Sequence, residues 1–298
     1  MVPSARPNAI APTIAPTIAL VTCDELPRPD ADLPILVEAF AQAGAVATVV
    51  EWTDRAIDWG AFDAALLRST WDYVARFDAF RPWLAATAAR TRLLNPQPLV
   101  AWNLHKGYLL ELAAAGVAVV PTELVRAGDD PDWSALFARH GDLVVKPAVS
   151  AGSFATVRVA AGDLAAVRAH HLEHAERDLL VQPCLASVVA HGETNLVHLG
   201  GRFSHAIHKG PRWAGDLEQS RGLVEPTAAE RALADEVLAA VAARGLGEPV
   251  YARVDMAEGA DGRPLLMELE LVEPSLFLDR APDRAAWLVE AVLRAIGA

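Results

Sequence analysis

Two glutamates, Glu268 and Glu270, stand two residues apart in LLMELELVEP, residues 265–274, where most neighbours are apolar. In a strand, alternate side chains share a face. Met267, Leu269 and Leu271 would then turn toward a core, with both carboxylates on the opposite face. Like charges at that spacing repel and call for a cation beside them, which could be a basic side chain, a metal or bulk water. Upstream, PVYARVDMAEGADGRPLLM reads as a strand, a turn at Gly259–Gly262 and a second strand. Folding about that turn sets Asp255 opposite Glu268 and Arg253 near Glu270. Three acids and one arginine share the face, and one arginine cannot neutralise three carboxylates. Oxygen ligands on neighbouring strands suit Mg²⁺. A solvated face with one salt bridge would give the same pattern, so the hairpin alone leaves both readings open.

Other stretches carry cations. Lys146 ends LVVK and precedes Pro147-Ala148-Val149-Ser150-Ala151-Gly152-Ser153. A lysine beside a loop of small residues, with free N–H groups and hydroxyls, can clamp a phosphate; an ordinary hairpin turn beside a surface lysine reads the same way. Lys106 enters at the start of a helix, where its charge and the helix dipole together favour an anion, although a solvated lysine is the plainer reading. DLLVQPCL could offer main-chain groups to a flat base, as could any buried strand. Arg68, at the end of FDAALLRSTWDY, and Lys209 and Arg212, in the charged stretch 209–222, are placed to hold a substrate carboxylate. Each is equally readable as a surface or structural charge.

The elements that must position these groups follow from periodicity. Strands alternate with helices from Ile18 to about residue 100, which predicts a parallel α/β sheet whose strand ends gather ligands. No G-x-G-x-x-G follows the first strand, which excludes a plain dinucleotide-binding domain. Residues 1–17, with prolines at 3, 7, 12 and 16, read as a disordered tail rather than a secretory signal. Pro96 and Pro98 mark a boundary, giving an N-terminal domain over 18–100, a central lobe over 101–180 and a C-terminal lobe over 181–298. The last of these carries two hairpins, turning at Gly200–Gly201 and Gly259–Gly262.

A chain of 298 residues supports two or three lobes. Its formal charge of −12 argues against nucleic acid or an anionic membrane as partner, but not against a phosphate-bearing ligand held by local cations and a metal. Cys23 and Cys184 are too few and too far apart for a disulfide framework, which fits a reducing cytoplasm. These totals leave a homo-oligomer open.

The order of the parts is more specific than any one of them. A lysine before a helix, a lysine before a small-residue hairpin, an apolar strand and then D-x12-E-x-E resemble the ATP-grasp superfamily, in particular its small single-chain members. The carriers are Lys106, Lys146, VQPCL, Glu193 in HGE, and Asp255, Glu268 and Glu270. The resemblance implies an α/β N-terminal domain followed by two nucleotide-binding lobes, with ATP and Mg²⁺ as cofactors. It further implies Lys106 and Lys146 on ATP phosphates, and Ser150, Gly152 and Ser153 in a mobile phosphate loop over 148–154. Gln182, Pro183, Cys184 and Leu185 would hold adenine, and Glu193 would approach the ribose. Asp255, Glu268 and Glu270 would bind the metal, with Arg253 and Lys146 offsetting transition-state charge. The sequence departs from the common pattern in reading Glu-x-Glu for E-x-N, in a single loop glycine, and in His105 before the first lysine. The implied reaction is ATP-dependent activation of a small amino-acid-like carboxylate as an acylphosphate, attacked by a nitrogen of the same molecule. The alternatives are ligation to a separate amine and an ATP-binding regulatory protein without turnover.

Overall fold

The computed structural model describes residues 15–213 and 220–298. The expected tail therefore falls largely outside the described residues. It is also shorter than expected: Thr17 already belongs to the first strand, and the Pro16 carbonyl accepts from the Val46 N–H.

Three sheets follow one another along the chain. The first contains β1 (Thr17–Thr22), β2 (Val46–Glu51), β3 (Ala64–Ser69) and β4 (Arg92–Leu94), with helices α1 (Asp32–Gln42) and α2 (Phe77–Ala88) between strands. All its pairings are parallel and its order is β2-β1-β3-β4. Alternation along β1 divides the core in two: Ile18 and Leu20 pack on the α1 side with Leu36 and Phe40, whereas Ala19 and Val21 face Trp52, Phe80 and Leu84. Two helices, α3 (Gln97–Asn103) and α4 (Tyr108–Ala114), lead out of this sheet. The sequence suggested a boundary where α3 forms, because Pro96 and Pro98 sit at its N-terminal end, a position that tolerates proline.

The second sheet comprises β5 (Glu123–Val125), β6 (Leu143–Pro147), β7 (Val157–Val159) and β8 (Leu179–Pro183), in antiparallel order β5-β8-β6-β7. It is accompanied by α5 (Trp133–His140) and α6 (Leu164–Glu173), both capped by an aspartate, Asp132 and Asp163, whose side chain accepts from the third helical N–H. A lobe division at 180/181 would cut β8 between its partners β5 and β6; we propose that the boundary follows Pro183.

After the short helix α7 (Ala186–Ala190) come β9 (Glu193–Leu199), β10 (Arg202–Lys209), β11 (Ser220–Val224), the capping-box helix α8 (Ala228–Ala242), β12 (Tyr251–Glu258) and β13 (Pro264–Glu270). Their antiparallel order is β11-β10-β9-β12-β13. Residues 220–222 belong to β11 instead of extending the charged loop, and 214–219 lie outside the described residues. The last helix, α9 (Ala285–Ile296), returns to α1 and closes the first core with Leu288, Val289 and Val292.

Candidate active site

The β12–β13 hairpin turns where its glycines require, with the Gly259 N–H donating to the Arg263 carbonyl at 2.7 Å and Gly262 at φ 77°. Its register pairs Arg253 with Glu270 and Asp255 with Glu268, as spacing predicted. One expectation is corrected. Opposite the Asp255–Met256 step, Met267 is an extra residue that bulges from β13 and shifts the alternation, so Leu266, Leu269 and Leu271 enter the core and Met267 is only half-buried.

β13 is an edge strand, and its outer side is closed at Leu266 by the main chain of Ala118 and Val120, at 2.8 and 3.0 Å, and further along by side chains. Tyr108 Oη donates to the Leu269 carbonyl and accepts from the Leu269 N–H, both at 2.9 Å. Asn103 Nδ2 donates to the same carbonyl at 2.8 Å, and its Oδ1 accepts from the Leu271 N–H at 2.9 Å. Buried main-chain groups need partners, and here α3 and α4 supply what a sixth strand would have given. The same contacts hold the Lys106 segment against the acidic strand.

Cations from three segments meet the hairpin acids. Lys146 Nζ, at the end of β6, donates to Glu268 Oε1 at 2.5 Å, and Lys106 Nζ lies 3.5 Å from Glu268 Oε2. Lys106 is also bound to the loop after β6, its N–H donating to the Ala148 carbonyl at 2.7 Å and its Nζ to the Ser150 carbonyl at 3.0 Å. Arg253 grips Asp255 through Nε and Nη2 at 2.8 and 2.7 Å and reaches Glu270 at 2.5 Å. In the loop, Gly152, Ser153 and Ala155 adopt φ of 57°, 62° and 50°, and Arg212 contacts Ser153 Oγ.

The charges are unequally satisfied. Burial alone would raise the Glu268 carboxyl, but Lys106 and Lys146 hold it well below the usual range. Burial likewise works against the Lys106 ammonium, yet Glu268, Glu270 and Glu273 outweigh it and raise its pKa. Glu270 is pushed up to about 7, by burial first and by repulsion from Asp255 and Glu268, with Arg253 and Lys209 opposing. Glu273 rises to about 8, through burial and then Glu270. Neighbouring carboxylates thus repel across one buried face, a strain that a divalent ion would relieve. Asp255, Glu268 and Glu270 fit Mg²⁺ in that sense, although Arg253 and the two lysines now hold them and their oxygens do not gather within 4.8 Å as a set.

Other candidates stand differently. Lys209 and Arg212 turn to Glu193, at 3.2 and 3.9 Å, so the three form one cluster at the mouth of the third sheet. Gln182 Nε2 donates to Thr122 Oγ1 at 2.8 Å, and its main chain lies in the ladder with Val144. The Cys184 N–H is taken by the Asp142 carbonyl at 2.8 Å, and Leu185 caps α7, so Cys184 cannot donate to a base as the strand reading supposed. Arg68 is corrected most clearly. It is 1% exposed, donates to the Pro274 carbonyl at 2.7 Å and lies 3.5 Å from Asp32, so it braces the hairpin exit and is not open to a substrate. Two residues escaped the sequence reading. Glu273, three residues beyond Glu270, is buried beside it, and Asn195, opposite Asp255 on β9, leaves its buried Oδ1 without a partner. The spacing Glu193-x-Asn195 was the signal for the latter.

The fold and this arrangement have relatives. The profile described as D-cycloserine synthetase DcsG, N-terminal domain, matches residues 18–95. The cycloserine biosynthesis protein DcsG of Streptomyces lavendulae is 38% identical over 295 residues, spanning 92% of this chain and 97% of that protein. The chain belongs to the D-cycloserine synthetase family of ATP-grasp ligases. The crystal structure of D-cycloserine synthetase DcsG superposes with a TM-score of 0.89 at 36% identity, covering 94% of this chain and 99% of that one. The ATP-grasp ligase PsnB, complexed with minimal precursor, Mg and ADP, shares the fold at a TM-score of 0.63 and 18% identity, covering 94% and 97%. As a D-cycloserine synthetase family member the protein is an ATP-dependent ligase with a nucleotide-binding fold. Among its described residues no helix is long and apolar enough to cross a membrane.

Proposed function

We propose that the enzyme closes O-ureido-D-serine to D-cycloserine, a step of antibiotic biosynthesis, through an acylphosphate. The substrate carboxylate oxygen attacks the γ-phosphorus of ATP and releases ADP. The ureido nitrogen bonded to the serine side-chain oxygen then attacks the acyl carbon and expels phosphate. Loss of the carbamoyl group with water leaves ammonia and carbon dioxide. An internal nucleophile arrives at high effective molarity and needs no second amine site.

The observation that carries the ligase chemistry is Glu268 held between Lys106 and Lys146, groups from two elements that meet where phosphate charge must be neutralised. Asp255, Glu268 and Glu270 would hold Mg²⁺, which when bound offsets phosphate charge. Lys146 and Lys106 pass from Glu268 to phosphate oxygens as ATP enters, and Arg253 keeps Asp255 and Glu270 aligned while offsetting charge. Gln182 to Leu185 line the adenine side and Glu193 the ribose side. Lys209 and Arg212, which face Glu193 in the ligand-free structure, would receive the substrate carboxylate. An acylphosphate hydrolyses unless water is excluded, and the contact of Arg212 with Ser153 joins the 148–154 loop to residues 210–213 as a cover.

The test is incubation with ATP, Mg²⁺ and O-ureido-D-serine, following ADP and cycloserine. Equal release of both supports the assignment. ADP that forms only when a separate amine is supplied assigns the enzyme to intermolecular ligation, and ADP release unresponsive to this substrate removes it.

A further inference from the structure

Helix α6 ends in His170-His171-Leu172-Glu173-His174. Residues at i, i+3 and i+4 share one face of a helix, so His170, Glu173 and His174 stand together while Leu172 points out, 75% exposed. One potential ligand atom from each of the three lies within 4.8 Å of the others, the one such set among the described residues. His170 and His174 have ring centroids 4.6 Å apart. His170 is 8% exposed, and its Nε2 is buried with no hydrogen-bond partner. A buried ring nitrogen without a partner is costly. The Ala155 main chain lies within hydrogen-bonding reach of the same ring, the kind of outer contact that orients a metal-binding imidazole. The last turn of a helix also favours a positive charge.

We propose that His170, Glu173 and His174 form a binding site for one divalent cation of the zinc class, separate from the acidic hairpin. Two imidazoles and a carboxylate, with water completing the shell, select zinc, cobalt, nickel or copper over magnesium. The site adjoins the loop after β6. The Phe154 ring stands 6.3 Å from His174, and the Ala155 main chain lies beside His170, so an ion there braces the loop beyond the Ala148 and Ser150 carbonyls that Lys106 holds.

The test uses full-length, tag-free protein titrated with Co²⁺ in saturating Mg²⁺, reading the visible absorption of the bound ion. Wild type should take up one equivalent saturably. His174→Ala and Glu173→Gln, both at accessible positions and checked for unchanged thermal melting, should each weaken binding about tenfold or more. Glu270→Gln should bind Co²⁺ as wild type does. Absence of saturable binding overturns the proposal, as does wild-type affinity in His174→Ala. Loss of binding in Glu270→Gln does so too, since it would move the ion to the acidic hairpin. Hydrogen exchange over residues 152–156 should slow when Co²⁺ binds; unchanged exchange overturns the bracing of the loop.

Discussion

Glu268 is held by two ammonium groups from different elements, and Glu270 by one guanidinium it shares with Asp255. Glu268→Gln should therefore release both lysines from their anchor as well as remove a metal ligand, while Glu270→Gln removes a ligand and relieves repulsion. Both should lower ADP formation on the order of 10²-fold with the fold retained; steady-state turnover at limiting Mg²⁺ beside thermal melting checks this, and full activity in both removes the metal assignment. Lys146→Ala should lose turnover on the same order, because a phosphate would then face Glu268 with one lysine fewer. The pairing of Arg253 with Glu270 was legible in the sequence, since a hairpin's register follows from its turn. The burial of Arg68 was not, because its partners Asp32 and Pro274 lie far away in the chain and nothing local marks them.

At the scale of elements, β13 is the strand that carries the acids, and α3 and α4 fasten it from outside. Asn103→Ala would leave the buried Leu271 N–H unsatisfied, at about 1–3 kcal/mol, while the Leu269 carbonyl keeps Tyr108. Denaturant unfolding should show that loss, and turnover should fall as Lys106 loses its footing; unchanged stability would mean that water or Tyr108 replaces the amide. Long periodic segments such as α8 and α9, and the strand alternation of the first sheet, were readable from their patterns. Short α3, α7 and β5 were not, since three to seven residues carry too little periodicity to separate from a loop. The bulge at Met267 was equally hidden, for a single inserted residue has no compositional mark.

For the whole molecule, the raised acids set a pH dependence. Glu270 and Glu273 keep their protons to about 7 and about 8, whereas in the unfolded chain they lose them near the ordinary 4.5. Between those values the folded state binds more protons, so stability falls as pH rises through that window. His198 acts in the other direction. Burial lowers it from 6.5 to about 4, so stability rises with pH across that interval. Above about pH 5 the two acids outweigh the one histidine, so the ligand-free enzyme should lose stability steadily from about pH 5 to about pH 8 by thermal melting. Mg²⁺ affinity, which needs ionised acids, should increase from pH 6 to 8 by calorimetry; a pH-independent affinity would place the metal elsewhere.

The return of α9 to α1 bears on how the protein is made. The face of the first sheet that carries Ile18, Leu20 and Leu66 is covered in part by Leu288, Val289 and Val292. During synthesis this sheet leaves the ribosome well before its cover, so a greasy surface stays open while the two intervening sheets are made. A nascent chain in that position is a client for a holding chaperone, and its assembly must wait for α9. Chains stopped at residue 280 should accumulate bound to chaperones or as aggregates, where full-length chains released from the same ribosomes do not.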